Sequence, residues 1–251
     1  MRVFRRLTCL ALLVLVPPLL QGCAASPRRT PGDPLEPVNR TIHRFNDVAD
    51  RYVTRPVARA YETVMPQFVR TGVRNFFNNL DDVFVVGNDL LQGKLTQASQ
   101  DGVRLVSNTV FGGFGLVDVA SMRGLRKNNE DFGQTLGRWG LGSGPYLVLP
   151  LLGPSSVRDL GGFAVHSQLD PIWRLDDVSL RNSALGLNLV NNRAALLPAE
   201  RLLDQAMDRY AFIRDAYLQR RLNLVHDGNP PKPPQGDEDF EDPGEGSADQ
   251  P

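Results

Sequence analysis

The sequence predicts an all-α protein, a single domain of amphipathic helices interrupted by an irregular middle rich in glycine and proline. Three observations predict it. Apolar residues recur every three or four positions through most of residues 35–226, strict alternation at period two is nearly absent, and twelve of the 51 positions from 112 to 162 are glycine. With 251 residues, 41% hydrophobic and 22% charged, the composition is that of an ordinary globular chain, enough for one large domain or two small ones.

The chain opens on an export signal. Met1–Arg6 is basic, Leu7–Leu20 is apolar and Gly22-Cys23 follows directly. That run is shorter than the about 20 residues needed to cross a bilayer, and Pro17-Pro18 interrupts it. Leu20-Gln21-Gly22-Cys23 looks like a bacterial lipobox, in which residues 1–22 are removed and the Cys23 thiol is acylated; Gln21 departs from the usual small residue there. Lipidation also accounts for the one cysteine left in the mature chain, since Cys9 lies in the signal. Ala24 and Ala25 follow, without the aspartate that commonly retains lipoproteins at the inner membrane, so sorting to the outer membrane of a Gram-negative envelope is expected. Residues 23–34 then read as a lipidated tether carrying Pro27, Pro31 and Pro34.

The body spans residues 35–226. Leu35, Val38, Ile42, Phe45, Ala49 and Tyr52 form a first helical stripe, and Pro56 restarts the pattern with Val57, Ala60, Tyr61 and Val64. Val69, Val73, Phe76, Phe77 and Leu80 make a third stripe; Leu95, Ala98, Gly102, Leu105 and Val106 make a fourth. Glycine is costly inside helices, so residues 112–162 are expected to be loops and short elements. Their centre, Pro145–Pro154, reads PYLVLPLLGP. In a soluble protein such a run is by default a core strand, whereas in a lipid-tethered one Tyr146–Leu152 is equally suited to dipping into one leaflet. Ser156 and Asp159 have capping-box spacing and start a helix through Leu160 and Phe163. After Pro198, the spacing of Leu203, Ala206, Tyr210, Ile213 and Tyr217 predicts one long helix that closes the body. Residues 227–251, with eight acids, one lysine and a run of prolines, are expected to be a disordered acidic tail.

Charge and chemistry exclude several classes. The 28 basic and 28 acidic residues cancel, and without the two ends the middle is only mildly basic, too little to argue for nucleic acid. With both cysteines in the first 23 residues, the body has no disulfide framework and no cysteine zinc site. Gly140, Gly142 and Gly144 fail the dinucleotide pattern because Pro145 follows, and no P-loop lysine, GxSxG serine or HExxH motif is present. His43, His166 and His226 are scattered; His43 beside the first stripe reads as a surface or interfacial side chain. Asp81-Asp82 and Glu130-Asp131 read as solvated or capping acids. Neither an enzyme nor a cofactor is expected.

Several motifs nevertheless occur together in order. They are Asp33-Pro34-Leu35-Glu36, Asn39-Arg40, Phe45-Asn46, Arg55-Pro56-Val57-Ala58, Asn75-Phe76-Phe77, Leu90-Leu91-Gln92-Gly93 and Asn108-Thr109. Above all there is Glu130-Asp131-Phe132-Gly133-Gln134-Thr135-Leu136-Gly137, then Gly144-Pro145-Tyr146, Leu149-Pro150, Gly153-Pro154 and Arg158-Asp159. From about residue 33 to 222 the chain resembles the MlaA (VacJ) lipoproteins, with Pro37 standing where many members have glycine. The resemblance implies an all-helical, ring-like protein lying in the plane of the inner leaflet, with an amphipathic central channel. It implies that phospholipids mislocalised to the outer leaflet are removed through that channel and passed to the periplasmic carrier MlaC. It also implies association with trimeric porins. Two other classes stay open: a porin-associated structural lipoprotein with no lipid path, and a lipid-modifying enzyme.

Given that resemblance, two groups of residues are candidates. Arg40, Arg44, Arg51 and Arg55 lie close to one helical face and suit lipid phosphates or a partner, or else form a solvated face in which Asp47 pairs with Arg51. Gly133, Gly137, Gly140, Gly142 and Gly144, with Tyr146, Leu147, Leu149 and Leu151, are candidates for the wall or gate of the lipid path, or else a rigid, closely packed core.

Overall fold

The computed structural model describes residues 33–231. The signal, Cys23, most of the tether and the acidic tail from residue 232 onward lie outside the described residues. Within them the chain is helical apart from one small hairpin. Helix α1 (Glu36–Ala49) passes through a π-helical turn (Asp50–Thr54) into α2 (Arg55–Val64). The π turn has a simple cause: Pro56 has no N–H to donate and its ring presses on the turn before it, so the helix widens there instead of breaking.

Next comes the longest helix, α3 (Gln67–Leu91), which folds back on α4 (Leu95–Val110) through a turn in which Gly93 takes a φ of 75°. Short α5 (Val119–Met122) and α6 (Phe132–Arg138) follow, then β1 (Tyr146–Leu149) and β2 (Gly153–Ser156), α7 (Val157–Leu169) and α8 (Val178–Ala195). A 3-10 turn (Leu197–Ala199), α9 (Glu200–Gln205) and α10 (Arg209–Val225) complete the chain. Asp131, Ser156, Asp177 and Asp208 cap α6, α7, α8 and α10, each side chain accepting a backbone N–H of the first turn.

These elements close a circuit. Helix α1 packs on β1, which pairs antiparallel with β2 in the register Tyr146↔Ser156 to Leu149↔Gly153. From β2 the contacts pass to α7, then to α6, α3, α8 and α2, and back through the π turn to α1. Asparagine spacing fixes the α1 to β1 joint. Asn39 donates to the Tyr146 carbonyl at 2.9 Å and accepts the Val148 N–H at 2.9 Å. Two turns later Asn46 donates to the Leu149 carbonyl at 2.9 Å and accepts the Leu151 N–H at 2.8 Å. Seven helical residues rise about 10.5 Å and three strand residues about 10 Å, so the two amides meet matching positions on the strand edge.

Burial favours polar side chains, and many large apolar ones are exposed. Among the described residues, seventeen polar or charged side chains are buried against ten apolar ones, and forty large apolar side chains are exposed. The apolar core is a small cluster of Tyr146, Val148 and Tyr210, with Ile42, Tyr217 and Leu218 around it. Elsewhere ion pairs and amides join the helices. Arg104 in α4 donates to Asp118 and to Ser121 Oγ (3.1 Å), and Asn108 donates to Asp118 at 3.0 Å. Burial works to raise the Asp118 pKa, but the hydroxyl and backbone N–H of Ser121, which donate to it at 2.6 and 3.0 Å, together with Asn108 and Arg104 outweigh it and bring the carboxyl down to about 2. No helix among the described residues is long and apolar enough to cross a membrane.

Of the two readings left open for the apolar run after Gly144, the chain takes the strand, in a β-hairpin that gives the all-α class one small sheet. The structure departs from the sequence reading in two places. The single helix expected after Pro198 is two, broken at Ala206–Asp208 because Asp208 caps a new start. Of the expected capping or solvated acids, Asp131 does cap α6, but Asp82 and Glu130 are buried in ion pairs with Lys127 and Lys94.

Candidate functional site

Between the helices of the circuit lie three cavities, each sharing wall residues with the next. The first, about 440 Å³, is bounded by Gly137, Gly140, Leu141 and Gly142 on one side and by Leu218, Leu222 and Val225 of α10 on the other. The second, about 290 Å³, is polar: Asp81, Asn129, Glu130, Asp131, Gln134 and Arg220 line it, along with Val85 and Leu224. A third, about 120 Å³, lies beyond Asp81 between Phe77, Phe84, Ile172, His166, Asn188 and Asn192. Asp81 belongs to the walls of both the second and the third, and Tyr217 and Arg221 to those of both the first and the second.

The partition between the first two is a charged seam. Arg221 donates to both oxygens of Asp131 at 2.5 and 3.0 Å and to Asp159 at 2.7 Å, while the Tyr217 hydroxyl donates to Asp159 at 2.5 Å. Burial opposes the charge on Asp131, yet the Arg221 hydrogen bonds and charge prevail and hold its carboxyl below the ordinary value. The seam joins α6, α7 and α10 at a point where two glycines bring α6 and α7 together. A Cβ on Gly133 would stand 2.5 Å from Asp159 Oδ1, and one on Gly162 only 2.6 Å from the Gly133 nitrogen.

A fourth cavity, about 320 Å³, sits on the other side of the hairpin. Tyr146 and Val148 meet His43 and Asn46 there, facing Leu196, Leu203 and Ile213. Its charged wall is a linked set. Arg193 donates to Asp50 at 2.6 and 2.9 Å and also pairs with Glu200, which holds Arg55 at 3.1 Å. Burial would raise the Asp50 pKa, but the Arg193 and Thr54 hydrogen bonds bring it to about 2. His43 packs edge-on against Tyr210 at 5.6 Å, and burial lowers its pKa.

The candidate residues distribute unevenly over these sites. Gly137, Gly140 and Gly142 stand in the wall of the first cavity; Gly133 is buried in α6 against the seam, and Gly144, at a φ of 67°, turns the chain into the hairpin. Tyr146 is buried and lines the fourth cavity, Leu147 and Leu149 are half-buried, and Leu151 projects outward at the hairpin tip with a φ of 63°. Of the four arginines, Arg40 pairs with Glu36 and Asp208 and lies 4.4 Å over the Tyr210 ring, Arg51 pairs with Asp47, and Arg55 joins the fourth cavity. Arg44 is exposed and forms no ion pair with the described residues. Sequence spacing pointed to neither Arg221 nor Arg220, Tyr217, Asp81 and Asp159, which only the tertiary fold brings to one place.

The profile of the family described as MlaA lipoprotein matches residues 31–224. A Shigella flexneri protein named intermembrane phospholipid transport system lipoprotein MlaA is 38% identical over 225 residues, 87% of this chain and 89% of that one. The Escherichia coli K12 protein of the same name is 38% identical over 226 residues with the same coverage, and the Haemophilus influenzae one 36% identical over 200 residues, 78% of this chain and 80% of that one. A solved structure, from work on the structural basis for maintenance of bacterial outer membrane lipid asymmetry, superposes with a TM-score of 0.70 at 34% identity, covering 78% of this chain and all of that one.

Proposed function

The chain belongs to the MlaA lipoprotein family, and on that premise we propose that it conducts phospholipid within the outer membrane, removing molecules misplaced in the outer leaflet and so maintaining lipid asymmetry. The sidedness of the fold carries this reading. Forty exposed large apolar side chains are unfavourable in water and suit a hydrocarbon surround, while the polar residues turned inward offer headgroups a wall that bulk lipid lacks. With no helix among the described residues able to cross the membrane, the protein lies in one leaflet in this reading, held by acyl chains on Cys23, and the linked cavities between its helices form the route.

The same proposal places Gly137, Gly140 and Gly142 in the walls of that route, whereas Tyr146 lines the separate fourth cavity. It takes a porin trimer as the neighbour in the membrane and the periplasmic carrier MlaC as recipient; the support for both partners is the family resemblance. No catalysis is assigned, in keeping with relatives named as transport lipoproteins. The test is surface-exposed phospholipid in cells with and without the gene. A rise in the outer leaflet on deletion, reversed by the intact gene, is the expected result. Unchanged asymmetry overturns the reading in favour of a scaffold, and lysolipid production by the purified protein overturns it in favour of an enzyme.

A further inference from the structure

The second cavity holds five charged side chains, and three of them are spoken for. Glu130 is bound by Lys94, while Asp131 and Arg221 bind each other. That leaves one cation and one anion. Arg220 of α10 makes no ion pair with the described residues, and among them Asp81 of α3 pairs only with the His166 imidazole, at 3.7 Å, while Lys127 attracts its charge from farther off and Asp170 and Asp131 repel it. Asp81 is more than half accessible, its side chain 57% exposed, yet the surrounding protein desolvates it enough to raise its pKa. A carboxylate in that position gains from an incoming cation. Next door, across Tyr217 and Arg221, glycine, leucine and valine make up half of the first cavity's wall, with Leu141, Leu218 and Leu222 among them, and polar or charged side chains make up most of the rest.

We infer that the first two cavities form a resting site for one zwitterionic phospholipid, with an acyl chain along Leu141, Leu218 and Leu222, the phosphate on Arg220 and the headgroup ammonium on Asp81. The inference rests on the proposed passage of phospholipid and adds a headgroup preference to it. A guanidinium fork matches phosphate oxygens, and an ammonium supplies the donor that Asp81 lacks. An anionic glycerol headgroup satisfies Arg220 but brings a second oxygen-rich group to the carboxylate.

The experiment uses the full-length lipidated protein in mild detergent, offered equal amounts of phosphatidylethanolamine and phosphatidylglycerol with identical acyl chains, with retained lipid counted by native mass spectrometry. The expected result is about tenfold preference for phosphatidylethanolamine, about 1.4 kcal/mol. Asp81→Asn should abolish the preference without reducing phosphatidylglycerol retention, and Arg220→Gln should weaken both lipids. Circular dichroism checks that both variants fold. Equal retention of the two lipids by the wild type, or a preference that survives Asp81→Asn, overturns the headgroup site and leaves the conduit standing. If neither lipid is retained and deletion of the gene leaves the outer leaflet unchanged, both readings fall.

Discussion

Raising the pH from about 4 to about 7 should weaken the fold, and one buried pair between α3 and α4 should account for much of the effect. Asp89 and Asp101 are both fully buried. No N–H or O–H donor of another residue reaches either oxygen of Asp89 or Oδ1 of Asp101, so the hydrogen bond open to them is the one they make to each other, which needs a proton. Burial first, then the charge and hydrogen bond of Asp101 and the charge of Glu130, push Asp89 up to about 7 against 3.8 for an ordinary aspartate, with Lys94 opposing in part.

Between those two values the native state holds a proton that the unfolded chain has released, so this contribution to stability is complete below about pH 4 and lost as pH climbs through 7. At about 1.4 kcal/mol per pH unit, the loss is about 4 kcal/mol. Asp89→Asn keeps the shape and donates to Asp101 without titrating. The variant should therefore show no such slope and be the more stable protein at pH 8. Urea unfolding of detergent-solubilised protein, followed by circular dichroism from pH 5 to 8, measures the difference, and other titrating groups cancel between wild type and variant. Parallel profiles would show that Asp89 carries no proton and refute the reasoning.

Three further outcomes follow from the packing and the anchor. Gly162→Ala should cost about 1–3 kcal/mol because its Cβ meets the α6 backbone, while Gly161→Ala next to it meets nothing and should gain about 0.5–1 kcal/mol; thermal unfolding of the two variants reads opposite signs. Asn39→Ala leaves the Tyr146 carbonyl and the Val148 N–H without partners on α1 and should cost about 2–4 kcal/mol, whereas removing the exposed Arg44 should cost less than about 0.5 kcal/mol; chemical denaturation compares them. Cys23→Ser should leave an unprocessed or mislocalised chain, which membrane fractionation detects; normal fractionation together with restored asymmetry would mean that the in-plane helices suffice.

Periodicity found helices better than it found their orientation. The first stripe does mark α1, but Val38, Phe45 and Tyr52 from that stripe are exposed while Asn39 is buried, the orientation that suits the proposed lipid surround. The same inversion hid α8. Val178, Leu180, Leu187 and Leu189 are exposed, and Asn191 is buried on its inner face, so no stripe stands out against a polar background. Capping was more reliable, since a cap is local chemistry: Ser156 does accept the Asp159 N–H, at 3.2 Å. The break before α10 carried a signal of the same kind in Asp208, three residues ahead of Ala211. The seam left none, because Asp131, Asp159 and Arg221 lie up to 90 residues apart and meet only once α6, α7 and α10 have packed.

The outward-facing apolar surface sets a condition on how such a chain reaches its place. On the aqueous leg of its journey, the side chains that later rest against hydrocarbon have only one another to meet, across molecules as readily as within one. On the proposed reading, an escort that covers them is then as much a requirement for delivery as the expected sorting signal. If, as proposed, Cys23 is acylated before arrival, the pinned chain searches in two dimensions for the hydrocarbon that its outward-facing side chains prefer.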